Sequence, residues 1–424
     1  VLAGLLFGLA PALRSTNPDV APTLKGGMLQ TRQRRFGFRN GLVAFQVALS
    51  VVLLVGGGLF VRSLGAAREA DLGFSTRQAG IVWTDLSVSG VPAAEQGGLR
   101  EELTRRARAL PGIEAATSAS HIPFLFSASG GFYSIPDVEA PVQGQGHNVQ
   151  REEVDPAFFE TMGIPLLEGR AFSEDDRPGS LPVVVLNETA TGRFWPGESP
   201  LGRQIYPVES EQGYQVVGVV GDTKIERLRE PPKPLFYFPI AQNSDPDLVL
   251  VARGRPAAEE ITAMLRQMIK EVRPDLMIMD AKTMEENVGV VLLPARMAAH
   301  LLGVFGVLAL TLAAIGLYGV VSYSVAQRTR EVGIRMSVGA DAAAVMSMVL
   351  RGAMGVVGVG GIVGFAVALA LAHLIRHVLY GVAPWDLVTM LGVPLVLSTV
   401  AAVAALIPAH RASQVNPVEA LKYE

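Results

Sequence analysis

No cysteine occurs in the 424 residues, which excludes disulfides, thiolate metal sites and cysteine nucleophiles and leaves an oxidising compartment permitted. Charge is scarce too. Only 18% of the residues are Asp, Glu, Lys or Arg, half are apolar, and the mean hydropathy is positive, as in a membrane protein with a sizeable soluble part. The formal net charge is −3, and the basic residues sit beside apolar runs instead of forming a groove-sized patch, which argues against a nucleic-acid partner. No G-x-x-x-x-G-K-S/T occurs. Gly56-Gly57-Gly58 lacks the Lys-Ser/Thr of a phosphate loop and reads as close helix packing. The histidines show no H-E-x-x-H or other metal spacing, so no metal ligand and no catalytic residue is expected. His121 and His147 lie in Gly/Ser-rich outer loops near Ser127, Ser129 and Asp137 without a nucleophile elbow. Glu174-Asp175-Asp176 has no further ligand spacing behind it and is expected to be a solvated loop.

What is present is organised around Gln327–Ala340, a charged stretch between two long apolar runs. Runs of that length are membrane-span candidates, so the stretch is a loop at one bilayer surface. Arg328, Arg330 and Arg335 against the single acid Glu331 place it in the cytoplasm by the positive-inside rule. It reads as a short helix with Arg328, Glu331 and Arg335 on one face and Val332 and Met336 on a neighbouring one. Gly339 is its stop, and Asp341 the N-cap of the next helix.

In chain order, Pro11-Ala12-Leu13-Arg14, Asn17-Pro18 and Leu24-Lys25 resemble Pro408-Ala409-His410-Arg411, Asn416-Pro417 and Leu421-Lys422. The simplest account is an internal duplication, with residues 1–25 the end of a preceding copy's last helix and its tail. The chain opens inside an apolar run with no basic stretch before it, and is expected to be a piece of a longer protein. Residues 26–40 are a basic interfacial segment: Lys25–Arg39 holds five basic residues with Phe36 and Phe38 interleaved, suited to the cytoplasmic leaflet. Spans are expected at 41–62, 295–325, 342–375 and 386–408, with a cytoplasmic helix at 326–340 and a cytoplasmic tail at 409–424. The second apolar stretch is about 45 Å long if helical against a hydrocarbon core of about 30 Å, so it should project as a stalk. In the third, Gly360 and Gly364 have the GxxxG spacing that lets helix backbones approach. Trp385 is a candidate interface anchor, and Glu69 and Asp71 are expected to offset Arg62 and Arg68 on the outer side.

Residues 63–294 form an insert on the side opposite the cytoplasm. Periodicity predicts a strand over 81–88, a helix over 94–110 and a strand over 113–119, then a second such unit from strand 248–252, helix 256–272 and strand 276–279. Two β-α-β units can make one split α+β domain. Between them, 121–240 reads as an inserted β-rich subdomain with short strands at 183–186, 215–220 and 235–238 and one helix at 188–194.

The residues then carry a resemblance. RTREVGIRMSVGA (Arg328–Ala340) before a glycine-rich span resembles the coupling region of FtsX/MacB-type permease subunits of ABC transporters. VDPAFFETMGIPLLEGRAFSEDD (Val154–Asp176), NETATGRFWPGESPLGRQI (Asn187–Ile205) and VVGVVGDTK (Val216–Lys224) are similar to their periplasmic core domain. The duplicated tail resembles acidobacterial-type duplicated orphan permeases. The resemblance implies four transmembrane helices per unit in the bacterial inner membrane, with a large α+β periplasmic domain. In that domain 78–120 and 241–285 are porter-like and 121–240 sabre-like. It implies that Arg328, Arg330, Glu331, Gly333, Arg335 and Gly339 couple to a cytoplasmic ABC ATPase on a separate chain. ATP and magnesium are then bound by that partner and no cofactor by this chain, which is not expected to be an enzyme. A second permease unit and membrane lipid are further partners, and a periplasmic adaptor or outer-membrane channel extends the set. The implied work is export by transmitted motion. The alternative is a transmembrane regulator of a periplasmic enzyme such as a cell-wall hydrolase, without transport.

Overall fold

The computed structural model describes residues 38–125, 129–141, 145–243, 245–327, 329–337 and 341–414; residues 1–25, most of 26–40 and the last ten residues lie outside them, and with them the duplicated tails. Contacts divide the chain into two units. One is Val304–Leu371 with the described parts of Val1–Val55 and Leu387–Glu424, and the other is Gly56–Gly303 with Ala372–Asp386.

Among the described residues, four helices are long and apolar enough to cross a membrane: α1 (Phe38–Arg68), α7 (Leu293–Gln327), α9 (Ala342–Leu374) and α10 (Leu387–Ser413). Helix α1 continues six residues past the expected end at 62, and α10 five past 408. Val43, Val47, Val51 and Val55 of α1, four residues apart, are all buried. Against this face α9 comes to backbone contact: a Cβ on Gly360 would stand 2.4 Å from the Ala44 carbonyl oxygen, and one on Gly364 2.6 Å from that of Ala48. Small residues four apart therefore meet on both helices, the arrangement that gives dispersion contact its shortest range. A Cβ on Gly306 of α7 would touch the Leu54 side chain at 3.0 Å, and Leu397 of α10 lies 3.9 Å from the corresponding position of Gly361. Outward, Val304, Phe305, Leu308, Leu312 and Ile315 of α7 are all more than half exposed. Left in water, each such side chain would forgo about 1.5–3 kcal/mol of burial.

The second unit is built on a sheet whose order begins β11-β1-β10-β2, from β1 (Ala79–Asp85), β2 (Ile113–Ala119), β10 (Asp247–Gly254) and β11 (Ile278–Thr283). Each of the two β-α-β units contributes the strand lying between the other's pair, and all three pairings are antiparallel. The connecting helices are α2 (Ala93–Arg108) and α5 (Ala258–Val272). They cover one sheet face, where Leu103, Ala107, Ile261, Leu265 and Ile269 pack on Val82, Leu248 and Leu250. The other face carries Ile81, Val249 and Val251 against Phe158 and Met162 of a short helix, α3 (Phe158–Met162). Burial on both faces is why β10 reads as an unbroken apolar run.

Between β2 and β10 the chain forms β3 (Ser129–Ser134), β4 (His147–Val154), β5 (Leu166–Gly169), β6 (Val183–Asn187), β7 (Gln204–Pro207), β8 (Tyr214–Val220) and β9 (Leu235–Pro239), with helix α4 (Glu188–Phe194). The pairings β4-β3-β7-β8-β6-β9 return to β4, so six strands close into a ring. Tyr133, Val149, Val184, Leu186, Ile205, Val216, Phe236 and Phe238 fill it, with Tyr133 edge-on to Phe236 at 5.1 Å. Alternate residues of the same strands, Val183, Val185, Leu235 and Tyr237, face the other core. The ring meets β2 where Ala119 pairs with Val154, flanked by hydrogen bonds from Ser120 N to the Glu153 carbonyl and from Asp155 N to the Ser118 carbonyl, both at 2.9 Å.

Glu152 of β4 faces Tyr237 across the ladder, is 1% exposed, and neither carboxylate oxygen has a hydrogen-bond partner. Burial first, then the neighbouring Glu153 charge, pushes its pKa from 4.5 up to about 8. Between those values the folded chain keeps a proton that the unfolded chain has released, so stability falls as pH rises, by at most roughly 1.4 kcal/mol per pH unit. Glu152→Gln is expected to flatten this slope between pH 5 and 8 in urea unfolding of detergent-solubilised protein followed by tryptophan fluorescence; an unchanged slope would assign the titration elsewhere. For the helices, Gly364→Val is expected to cost roughly 1–3 kcal/mol or more by forcing α9 off α1. Gly358→Val, where a Cβ meets nothing within 4 Å, should be tolerated. Midpoints of thermal unfolding in detergent compare the two.

Candidate functional site

Helix α8 (Thr329–Ser337) joins α7 to α9 across a few residues. Val332 is 2% exposed and packs with Val345 of α9 and Ala412 of α10, fringed by Val325, Met336 and Met348. This apolar contact seats the helix, so its other face is held out. There Arg335 Nη2 donates to Glu331 Oε1 at 2.8 Å, one helical turn away, and Nη1 lies 3.1 Å from the Met348 sulfur. Both charged side chains are about half exposed, and such a pair contributes roughly 0–1 kcal/mol, so it remains free to exchange partners. Arg330 and Gly333 fall within α8, whereas Arg328 and Gly339 lie outside the described residues. Ile334, 46% exposed between Glu331 and Arg335, is the feature sequence reasoning passed over. Its helical position relative to Val332 was the available signal. An apolar knob bracketed by two opposite charges has the composition of an interface centre and rim.

The motifs of the α+β unit are structural. Asn187 accepts from Ala190 N at 3.0 Å as the cap of α4 and from Leu235 N at 2.9 Å, and its amide donates to Asp222 Oδ1 at 2.7 Å and the Lys233 carbonyl at 2.8 Å. Asp222 also accepts from the Thr189 hydroxyl at 2.6 Å. Asp155 accepts from Ala157 N at 3.0 Å and from Arg108. Gly163, at φ 71°, ends α3, and at Gly169 a Cβ would stand 2.3 Å from the Val217 carbonyl oxygen.

Three expectations need correction. Asp176 is not solvated: it is buried, receives both Arg170 nitrogens at 2.7 and 2.9 Å and Ser173 N at 2.8 Å. Burial raises its pKa, but the Arg170 and Ser173 hydrogen bonds outweigh that and hold it below the usual aspartate value. His147 is not in a loop; it begins β4, is 4% exposed and stands edge-on to Phe194 at 5.0 Å. Ser127 lies outside the described residues. Arg62 pairs with Asp386 at 3.1 Å rather than with Glu69 or Asp71.

Where β2 meets the ring, charged groups gather. Glu153 accepts from the Ser120 hydroxyl at 2.7 Å and from Arg151, and His121 Nε2 lies 3.9 Å from Asp247. Buried Arg100 donates to the carbonyls of Asp245 and Asp247. Its pKa is lowered by burial, against the opposing charges of Asp245, Glu153 and Asp247. His121, Glu153 and Asp245 offer ligand atoms within 4.8 Å of one another and could hold a cation. Arg100 and Arg151 already set two positive charges against the three acids Glu153, Asp245 and Asp247, so the chain itself offsets much of the charge that a cation would meet.

Residues 41–271 match the family model for the MacB-like periplasmic core domain, and 303–417 that for the FtsX-like permease C-terminal. Among curated relatives, a probable export ATP-binding/permease protein MacB of Pseudomonas entomophila is 28% identical over 323 residues, 67% of this chain and 45% of its own. A probable syringafactin export ATP-binding/permease protein SyfD of Pseudomonas syringae pv. tomato is 29% identical over 310 residues, again 67% and 45%. The chain thus spans less than half the length of these relatives. The periplasmic region of MacB from Actinobacillus actinomycetemcomitans matches 52% of this chain and 94% of its own at 19% identity with a TM-score of 0.35, and the family assignment does not depend on it. With the first family model covering more than half of its length, the chain belongs to the FtsX/MacB-type ABC transporter permeases and is a membrane protein with a MacB-like periplasmic core domain.

Proposed function

We propose that the chain is the permease part of an ABC-type export machine, and that α8 is where nucleotide-driven motion enters it. The observation that carries the reading is the seating of α8: Val332 fixed among Val345 and Ala412, with Glu331, Ile334 and Arg335 turned outward. Arg328, Arg330, Gly333 and Gly339 complete the same coupling segment. The curated relatives are named as ATP-binding/permease proteins, whereas this sequence holds no phosphate loop. ATP and magnesium therefore belong to an ATPase site outside this sequence, and the chain itself performs no hydrolysis.

In this reading the four apolar helices cross the inner membrane, α8 faces the cytoplasm by its arginines, and the α+β unit is periplasmic. The β11-β1-β10-β2 part corresponds to the porter-like and the ring to the sabre-like subdomain. A push on α8 displaces α7 and α9, and α7 leads back through α6 (Met284–Val291) to β11. A second permease unit completes the machine, and a periplasmic adaptor or outer-membrane channel receives what is exported. The regulator of a periplasmic enzyme uses the same parts without cargo.

With p-benzoylphenylalanine at position 334 of the full-length protein in its native membrane, ultraviolet light is expected to crosslink an ABC-type ATPase. Arg335→Glu should lower that yield about tenfold or more by setting like charges together, while leaving membrane insertion intact. Crosslinks to lipid alone, or a yield indifferent to Arg335→Glu, would overturn the coupling role.

A further inference from the structure

In the Gly56–Gly303 and Ala372–Asp386 unit, a cavity of about 1000 Å³ opens at the ends of three apolar helices. Ser63 from the last turns of α1, Pro294 and Ala295 from the first turn of α7, and Arg376, His377 and Val378 just past α9 all line it. Helix ends of this kind sit at headgroup depth when the helices span a bilayer. Its walls are apolar through Leu228, Val291, Leu292 and Tyr380, and exposed Leu293, Met297 and Leu374 carry apolar surface on from it. The volume is at the upper end for a ligand cavity.

The charges there are unequal. Arg227, Arg229, Lys233 and Arg376 outnumber Glu226 and Glu230 by two, His377 not counted. Both acids are engaged by Lys233, at 3.1 and 3.2 Å, and Glu230 also accepts Ile225 N and Glu226 N at 2.7 and 2.8 Å. Arg229 is anchored to the carbonyls of Arg376 and Leu379 at 2.5 and 2.7 Å, which orients it without neutralising it. Among the described residues, Arg227, Arg229 and Arg376 form no ion pair. Three uncompensated guanidiniums over an apolar chamber match an amphiphile with an anionic head, and guanidinium is the side chain best suited to phosphate.

We propose that this cavity binds an anionic glycerophospholipid of the leaflet on the α+β side, its phosphate held by Arg227, Arg229 and Arg376 and a chain lying along Leu228, Val291 and Leu292. The proposal needs the apolar helices to span a bilayer but not the coupling role of α8. The full-length protein is placed in phosphatidylethanolamine nanodiscs with a trace of phosphatidylglycerol bearing an acyl-chain diazirine, or of phosphatidylcholine bearing the same group, and the labelled peptides are mapped. Both probes should label Val304–Ile315, which reports insertion. Phosphatidylglycerol alone should label 291–297 and 376–380, unchanged by excess inorganic phosphate. Arg227→Ala, which removes a side chain that makes no hydrogen bond among those described, should lower that labelling about fivefold, and Val291→Trp, which fills the chamber, should abolish it. Equal labelling by the two probes, or labelling indifferent to both variants while Val304–Ile315 remains labelled, overturns the proposal. Absence of label from Val304–Ile315 would instead remove the spanning arrangement itself.

Discussion

The insertion of β10 between β1 and β2 is the constraint on which the α+β unit depends. Neither β-α-β unit can close its own sheet, because the strand that must lie between its pair comes from the other, more than a hundred residues away. The ring-forming segment is therefore tied at both ends to neighbouring strands, β2 and β10. The same interlock sets β1, which follows α1, beside β11, which precedes α6 and α7. Two apolar helices thus feed adjacent hydrogen-bonded strands. Sliding β1 past β11 would break the backbone hydrogen bonds of their ladder, so the two strands hold their register.

The two packing styles in the chain answer to two solvents. In the α+β unit, large side chains fill closed volumes, and β6 and β9 bury residues on both faces because they serve the ring and the neighbouring core at once. Among the apolar helices proximity is gained by removing side chains, as where Gly360 and Gly364 meet Ala44 and Ala48, a packing suited to surroundings with no water to expel. Glu152 departs from the first rule. It is a carboxyl kept neutral by its surroundings, without partners, in the strand that joins the ring to the sheet.

Much of this was legible because periodicity and length are local. Helix α5 shows Ile261, Leu265, Met268 and Ile269 on one side, and the strand over 113–119 and the helix over 188–194 stand at the bounds read from local pattern. What was not legible depends on pairing at a distance. The ring is invisible in sequence because its closure, β9 on β4, joins residues some eighty positions apart, and because β4 buries His147, Glu152 and Glu153 while β3 exposes Phe132. Asp176 looked solvated because its partner Arg170 precedes it by a turn-forming stretch, and buried Arg100 hid among the charges of α2 although it shares the face of Leu103 and Ala107. For α8 the charged face was apparent, but not which side Ile334 would take, since that is fixed by contacts from α9 and α10.

Closing six strands into a ring has a further effect on sociability. With the circle closed, the borders left among the described residues onto which a foreign strand could be stitched include β5, which pairs with β8 alone, and β11, at the far end of the order. Companions that do not lengthen the sheet at such a border are left the tips of the turns, where sequence can drift without unravelling the weave.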